Sequence, residues 1–160
     1  MRSKNLKWLC VLLIVLEYAI FLMLKINGFF DFSAKYKIEH ISCTQVFDNA
    51  LFVIDNDDKT TWGESELHSD GEVFDIKFRE DRAFHSVIIN NNSNKNPTAN
   101  IKIYISNDGV SWNECRYEKK IKNGTETYYT FNEECYGDHL RLVYANREAG
   151  YWPITEIQIY

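Results

Sequence analysis

Apolar and polar residues alternate with a period of two along much of the chain after residue 40. Four segments show the alternation most clearly: 74–78, 101–105, 140–144 and 157–159. Because successive side chains of a β-strand point to opposite faces, each segment can turn one apolar face toward a core. Asp108-Gly109 and Asn123-Gly124 lie between such segments, and both pairs favour tight hairpin turns. The pattern predicts an all-β sandwich or barrel.

A run of apolar residues at 8–24 precedes this region and is interrupted only by Glu17. A helix of that length extends about 26 Å, close to the lower limit for crossing a bilayer. Three basic residues precede the run and one follows it closely. The positive-inside rule therefore predicts a single-pass signal-anchor helix with a cytoplasmic N-terminus and an extracytoplasmic domain. A cleaved signal peptide is the alternative, but its apolar core would be shorter and 32–34 is a poor cleavage site.

The chain thus divides into a cytoplasmic tip and membrane anchor at 1–30, a linker at 31–40 and a domain at 41–160. Glu17 lies in the middle of the predicted span, where a charged carboxylate is costly. It either contacts a partner inside the membrane or is protonated and tolerated by its apolar neighbours.

The charge is distributed unevenly between these parts. The net charge is −5, and residues 1–30 hold four basic residues against Glu17, so the rest of the chain carries −8. An acidic domain repels phosphate backbones, which argues against a nucleic-acid partner.

Several motifs occur in the order found in one known family. Residues 54–62 read I-D-N-D-D-K-T-T-W, 103–112 read I-Y-I-S-N-D-G-V-S-W, and 137–142 read G-D-H-L-R-L. Together with 74–78 and the closing run 154–160, these segments resemble the discoidin, or coagulation factor 5/8 type C, family over about residues 40–160. The resemblance implies a galactose-binding-like fold, which is an eight-stranded jelly-roll β-sandwich with ligand-binding loops at one end.

The resemblance also implies a structural Ca²⁺ site. Its side-chain ligands would be Asp55, Asp57, Thr60 and Glu156. Ca²⁺ takes roughly six to eight hard oxygen atoms, and clustered carboxylates otherwise repel one another. An EF-hand does not fit, because Lys59 and Thr60 occupy loop positions that need a ligand and a glycine. The alternative is a metal-free acidic turn in which Asp55 accepts backbone N–H bonds.

Sugar-binding members of the family use loop aromatics together with His, Arg and Asn side chains. By the resemblance, the His position is Gly63 here, and no Arg stands at 90–92. The ligand-binding candidates that remain are amides and aromatics of two loops: Asn91, Asn94 and Asn96 in one, Tyr151 and Trp152 in the other. For Trp152 a place in the core is the stronger alternative, because large aromatic side chains are mostly buried.

Two functions are compatible with these features. The first is a membrane-anchored module that binds carbohydrate on a cell surface or envelope glycan. The second is a non-catalytic interaction subunit that docks on a larger membrane protein through the sandwich and the helix carrying Glu17. The chain holds no zinc-protease, P-loop or serine-hydrolase motif, and its four histidines are scattered. We therefore expect no enzyme activity, and we expect the histidines at the surface or at strand ends.

Cys115 and Cys135 flank the predicted Asn123-Gly124 turn. Export would permit a disulfide between them, and the closed loop of about twenty residues would then contribute roughly 3 kcal/mol. Spacing alone does not set the Cα distance that a disulfide requires, so the bonded and the reduced state both stay open. Cys43 is expected to be a buried thiol.

Overall fold

A computed structural model describes residues 37–45, 47–91, 100–122 and 124–160 of the 160-residue chain. The predicted membrane span at 8–24, with Glu17, and the loop residues Asn94 and Asn96 lie outside the described residues. Within the described ranges, no helix is both long enough and apolar enough to span a bilayer.

Seven β-strands and one short 3₁₀ helix make up the regular structure of the described ranges. In chain order they are β1 (Ile38–Cys43), the 3₁₀ helix (Phe47–Ile54), β2 (Val73–Asn90), β3 (Ile101–Ser106), β4 (Asn113–Glu114), β5 (Tyr117–Lys122), β6 (Glu126–Tyr144) and β7 (Glu156–Ile159). Every paired strand is antiparallel to its neighbour. The prediction of an all-β domain is confirmed.

The two long strands, β2 and β6, contribute to both layers of the sandwich. The first half of β2 and the second half of β6 lie between β1 and β3, with β4 beyond β3. The second half of β2 and the first half of β6 lie between β7 and β5. The β2–β6 register shifts between Lys77 and Arg82 and again between Phe84 and Ser86. Such irregularities bend a strand pair, and here they mark the passage from one layer to the other.

This continuity corrects the predicted strand count. We expected eight separate strands, whereas the described residues form seven. The reason is that β2 has 18 residues and β6 has 19, so each runs through the bend where a jelly roll of shorter strands has a break. Gly137 lies at this bend in β6, and a Cβ there would collide with the carbonyl oxygen of Ser106. A glycine is therefore required where β6 passes close to the end of β3.

The inward faces of the strands form one hydrophobic core. In β2, Phe74, Ile76 and Phe78 are no more than 1% exposed, whereas Asp75 and Lys77 between them are only half-buried. β3, β6 and β7 show the same alternation of buried and more exposed positions. The period of two in the sequence therefore corresponds to the inside and the outside of the sandwich.

The strand register defines two ends of the sandwich. Val73 pairs with Val143, and Ile101 pairs with Tyr144, at one end of the first layer, while Ser106 pairs with His139 at the other end. We call the first end, with the loops 55–72 and 145–155, the aromatic end. The second end, with the bends of β2 at 79–85 and of β6 at 132–138 and the segment 107–116, is called the cleft end.

Candidate functional site

Four buried aromatic rings pack beneath the surface of the aromatic end. The rings of Trp62 and Trp152 meet edge to face, with centroids 5.4 Å apart and planes at 78°. Tyr144 lies 5.6 Å from Trp152, and Phe74 lies 4.8 Å from Trp62. None of the four rings belongs to a residue more than 3% exposed. Because such contacts add to the gain from burial, the cluster gives the overlying loops a firm support.

Two backbone bridges hold the loops over this cluster. Trp62 and Ile154 exchange N–H···O bonds of 2.8 and 2.9 Å, and His68 and Gly150 exchange bonds of 2.8 and 3.0 Å. Each bridge joins the loop after the 3₁₀ helix to the loop before β7. The two loops therefore form one connected surface, although about 85 residues separate them in sequence.

Leu67 and Tyr151 flank the two residues of the second bridge, His68 and Gly150. In an antiparallel bridge the residues next to the paired positions also lie opposite one another, and here these are Leu67 and Tyr151. Both are exposed, at 56% and 50% respectively. Each side chain is thus on the solvent side of the loop that its neighbour in the bridge holds in place.

A shallow depression of about 390 Å³ is lined by the segment that ends at Gly150, the residue before Tyr151. Its polar lining comes from Asn146, Arg147 and Glu148. The amide oxygen of Asn146 accepts the Asn100 N–H at 3.1 Å, which ties the depression to the start of β3. Guanidinium and amide groups donate to hydroxyl or carboxylate oxygens, and a carboxylate accepts from hydroxyls. The aromatic end therefore combines an exposed ring with hydrogen-bonding groups.

The structure separates the two aromatic residues that the sequence suggested for ligand binding. Tyr151 is on the surface, whereas Trp152 is 3% exposed and its ring faces Trp62. Trp152 is therefore assigned to the support, and its prediction as a contact residue is replaced by this buried role. The cause is that neighbouring residues in extended chain point to opposite sides.

The amide candidates have different outcomes. Asn91 is only 7% exposed, and its N–H donates to the Thr125 carbonyl, so it lies inside the fold rather than on a ligand surface. Asn94 and Asn96 stay predictions because they lie outside the described residues. Sequence reasoning missed Asn146 and Arg147. Their signal would have been a polar pair that directly follows a strand and precedes the Tyr151 loop.

His68 has an unexpected position. It is 1% exposed, contrary to the expectation of a surface or strand-end histidine. Its Nδ1 lies 2.7 Å from Oε2 of Glu72, whose other carboxylate oxygen accepts the Ser69 N–H at 2.7 Å. The imidazole also packs edge to face against Trp152, with centroids 5.8 Å apart. His68 and Glu72 thereby hold the turn that leads into β2.

Gly63 explains why the sugar-binding His of the family has no counterpart at this position. Its φ is +73°, a backbone conformation that residues other than glycine rarely adopt. A Cβ there would lie 2.6 Å from the Trp152 carbonyl oxygen and 2.9 Å from Nε2 of His68. The backbone of this loop passes too close to Trp152 for any side chain to project from residue 63.

Three of the predicted calcium ligands, Asp55, Asp57 and Thr60, lie in the loop after the 3₁₀ helix, and the fourth, Glu156, begins β7. Asp55 accepts the Asp57 N–H at 2.9 Å and the Thr60 hydroxyl at 2.9 Å. Oε2 of Glu156 accepts the Asn56 N–H at 3.0 Å. Asn56 has a φ of +59°, which Asn tolerates and which fits its place where the family usually has glycine. The loop therefore brings the carboxylates of Asp55 and Glu156 to neighbouring backbone positions.

The donor set of this loop fits a hard cation in part. Asp55, Thr60 and Glu156 supply two carboxylates and a hydroxyl, which are ligand types that Ca²⁺ prefers. The Asp57 carboxylate instead accepts the Lys59 N–H at 3.0 Å. Across the part of the chain that the structure describes, no group of three or more His, Cys, Asp or Glu residues has a metal-binding arrangement. The calcium site stays a prediction.

The remaining sequence hypothesis concerns the cysteines. Cys115 and Cys135 are both free thiols in the structure, and they line the same cleft. Cys43 is a buried thiol in the core, as expected. The disulfide itself stays a prediction.

The F5/8 type C domain family matches residues 31–157. Because that range is most of the chain, the chain belongs to this family, and the resemblance stated from the motifs is confirmed. Among curated protein sequences, no significant match was found.

Three solved structures with a TM-score of 0.61 illustrate the likeness in fold. CpGH89CBM32-6 of Clostridium perfringens is 19% identical, covering 81% of this chain and 97% of its own. The CBM32 of AlyQ, in complex with 4,5-unsaturated mannuronic acid, is 18% identical, covering 78% and 96%. CpGH89CBM32-5 of C. perfringens, in complex with GalNAc-β-1,3-galactose, is 13% identical, covering 76% and 94%. The domain thus has the fold of carbohydrate-binding modules.

Proposed function

We propose that this chain is a non-catalytic carbohydrate-binding module that holds a glycan at its aromatic end. The exposed ring of Tyr151, whose chain neighbour Trp152 belongs to the buried aromatic cluster, is the observation on which the proposal rests. The solved neighbours support it, because two of them were determined with bound saccharides.

The geometry indicates how a sugar would be held. A pyranose ring has an apolar face of C–H groups that can pack on an aromatic ring, and Tyr151 offers such a ring. Arg147 and Asn146 donate to the ring hydroxyls, and Glu148 accepts from them. Because the depression is shallow, it covers one face of a sugar and leaves the remainder of a glycan in solvent. Weak binding of one unit within a larger polysaccharide is therefore expected.

Display from a membrane is the second part of the proposal. The apolar run at 8–24 and the basic residues before it support an anchor that leaves the domain extracytoplasmic. Protease added to intact cells should digest a C-terminal tag while an N-terminal tag is protected. The opposite protection pattern would reject this orientation without touching the sugar-binding proposal.

A structural Ca²⁺ between the loop at Asp55 and Thr60 and the Glu156 side chain of β7 is the third part of the proposal. Asp55, Thr60 and Glu156 would hold the ion and the ion would neutralise two neighbouring carboxylates. The ion would tie the loop before Trp62 to β7, and so would support the aromatic end without contacting the sugar.

The sugar-binding proposal is tested with a glycan array on the full chain in mild detergent. Wild-type protein should bind a defined set of glycans, and Tyr151→Ala should lower the affinity for them by about tenfold or more, which is roughly 1.4 kcal/mol. Tyr136→Ala is the matched control, because Tyr136 is 59% exposed at the cleft end. An array without hits, or an equal loss in both variants, would reject the proposal.

A further inference from the structure

A second concave feature lies at the cleft end, far from Tyr151. It is a cleft of about 420 Å³ between the β4–β5 corner and the bend of β6. Cys115, Cys135, Glu114, Arg116, Glu134 and Tyr136 are among the residues that line it. Two thiols therefore face the same solvent-filled space.

The two thiols differ in access. Cys115 is 4% exposed, whereas Cys135 is only half-buried. Burial raises the pKa of Cys115, and the neighbouring Cys135 thiol raises it further. The Cys135 sulfur lies 3.7 Å from the Glu133 carbonyl oxygen, to which its thiol donates. A reagent in the cleft therefore reaches Cys135 first, while Cys115 lies behind it.

The two cysteines belong to different parts of the sandwich. Cys115 lies between β4 and β5, and its N–H donates to the Ile103 carbonyl at 2.8 Å. Cys135 lies where β6 passes between the layers, opposite Phe84 of β2. The Asn132 N–H donates to the Arg116 carbonyl at 3.0 Å, so the β5–β6 pairing extends to the residue after Cys115 and brings Cys115 and Cys135 to diagonal positions. A bond between them would connect the edge of the sandwich to its central strand.

We propose that Cys115 and Cys135 form a reactive pair that a small disulfide-bearing molecule oxidises through the cleft, with Cys135 reacting first. The Cys135 thiolate attacks one sulfur of an external disulfide, which releases one thiolate that takes up the Cys135 proton. The Cys115 sulfur then attacks the Cys135 sulfur, and the second thiolate leaves with the Cys115 proton. Two protein thiols become one disulfide, and the external disulfide is reduced to two thiols.

Glutathione disulfide is the probe for this reaction. The full chain carrying Cys10→Ser and Cys43→Ser is incubated with it in mild detergent, alkylated, digested and analysed by mass spectrometry. We expect a peptide that joins Cys115 to Cys135 and is about 2 Da lighter than the two reduced peptides. Oxidation should also raise Tm by about 10 °C, and a reductant should reverse the change. Two thiols that stay alkylatable in excess oxidant would overturn the proposal.

The order of reaction is tested with single serine variants in the same background. Cys115→Ser should accumulate a mixed disulfide with glutathione on Cys135, because the resolving thiol is missing. Cys135→Ser should leave Cys115 reduced, because Cys115 is buried. Both variants are first checked for a cooperative thermal transition. A mixed disulfide that forms faster on Cys115 of a folded variant would overturn the assigned order.

This inference stands apart from the sugar-binding proposal. The cleft and Tyr151 lie at opposite ends, so oxidation should leave glycan affinity unchanged. Failure of the cross-link thus has no bearing on the array result, and an array without hits has none on the cross-link.

Discussion

The two ends of the sandwich carry similar residues in different surroundings. Tyr151 is exposed at the aromatic end and Tyr136 is exposed at the cleft end, at 50% and 59% respectively. Buried rings and backbone bridges support the first, whereas two thiols lie next to the second in an open cleft. A rigid support orders a side chain before a ligand arrives and so lowers the cost of binding. The comparison teaches that support, rather than exposure, distinguishes the candidate sugar site.

The strongest test of the support is the removal of Trp152. Trp152→Ala should reduce the free energy of unfolding by about 4 kcal/mol, because a fully buried ring in contact with Trp62 leaves a cavity. Trp112→Ala is the control at the cleft end. That ring is half-buried, with the Arg141 guanidinium 3.8 Å above it, and its loss should cost about 1–2 kcal/mol. Chemical denaturation measures the free energy of unfolding of both variants. Equal losses would contradict the claim that the aromatic end has the more rigid support.

A smaller loss of stability than in Trp152→Ala is expected when Gly63 or Gly109 is replaced by alanine. Gly63→Ala should cost about 3 kcal/mol, since it adds strain at a positive φ and also places Cβ against the Trp152 carbonyl. Gly109 has a similar φ of +68°, but a Cβ there meets only the movable ring of His139, at 3.0 Å. Gly109→Ala should therefore cost about 1–2 kcal/mol. Thermal melts of the two variants measure the difference in stability. A smaller loss in Gly63→Ala than in Gly109→Ala would mean that the loop around residue 63 can shift.

The calcium proposal predicts an effect at only one of two aspartate turns. At about 100 times its dissociation constant, Ca²⁺ should stabilise the wild type by about 2.7 kcal/mol, seen as a rise in Tm that EDTA reverses. Asp55→Asn should abolish the rise, because it removes one carboxylate from the loop that Glu156 also enters.

Asp108→Asn is the matched control for Asp55→Asn. Asp108 accepts the Ser111 and Val110 N–H groups at 2.7 and 2.8 Å, which hold the pKa of its carboxyl well below the usual range. Its neighbours are donors, so it satisfies a turn without a cation. The Ca²⁺ response of this variant should equal that of the wild type. A Ca²⁺ effect lost in Asp108→Asn, or kept in Asp55→Asn, would refute the assignment of the site.

Local patterns predicted most of the strands and turns. The alternation at 74–78 and 140–144 identified buried faces correctly, because period two directly reflects the geometry of a strand. Asp108-Gly109 was correctly placed between β3 and β4. The strand count was not predictable in the same way, since no local residue pattern tells whether β2 and β6 break or bend between the layers.

The candidate site was only partly predictable. Tyr151 is exposed, Trp152 has the core position that was the stronger of its two alternatives, and the burial of His68 was missed. A loop has no repeat from which to read which side chain points inward. That choice came from the His68–Gly150 bridge, which joins residues 82 positions apart.

The sequence by itself determined the β-rich domain, its turns and its family, because these depend on neighbouring residues and on ordered motifs. The tertiary structure alone decided that Tyr151 faces solvent while Trp152 is buried, that Glu156 accepts the Asn56 N–H, and that Cys115 and Cys135 line one cleft. Each of these relations joins separate strands or loops, or the two sides of one loop. Pairing and packing of the whole chain set such relations, and no short stretch of sequence contains them.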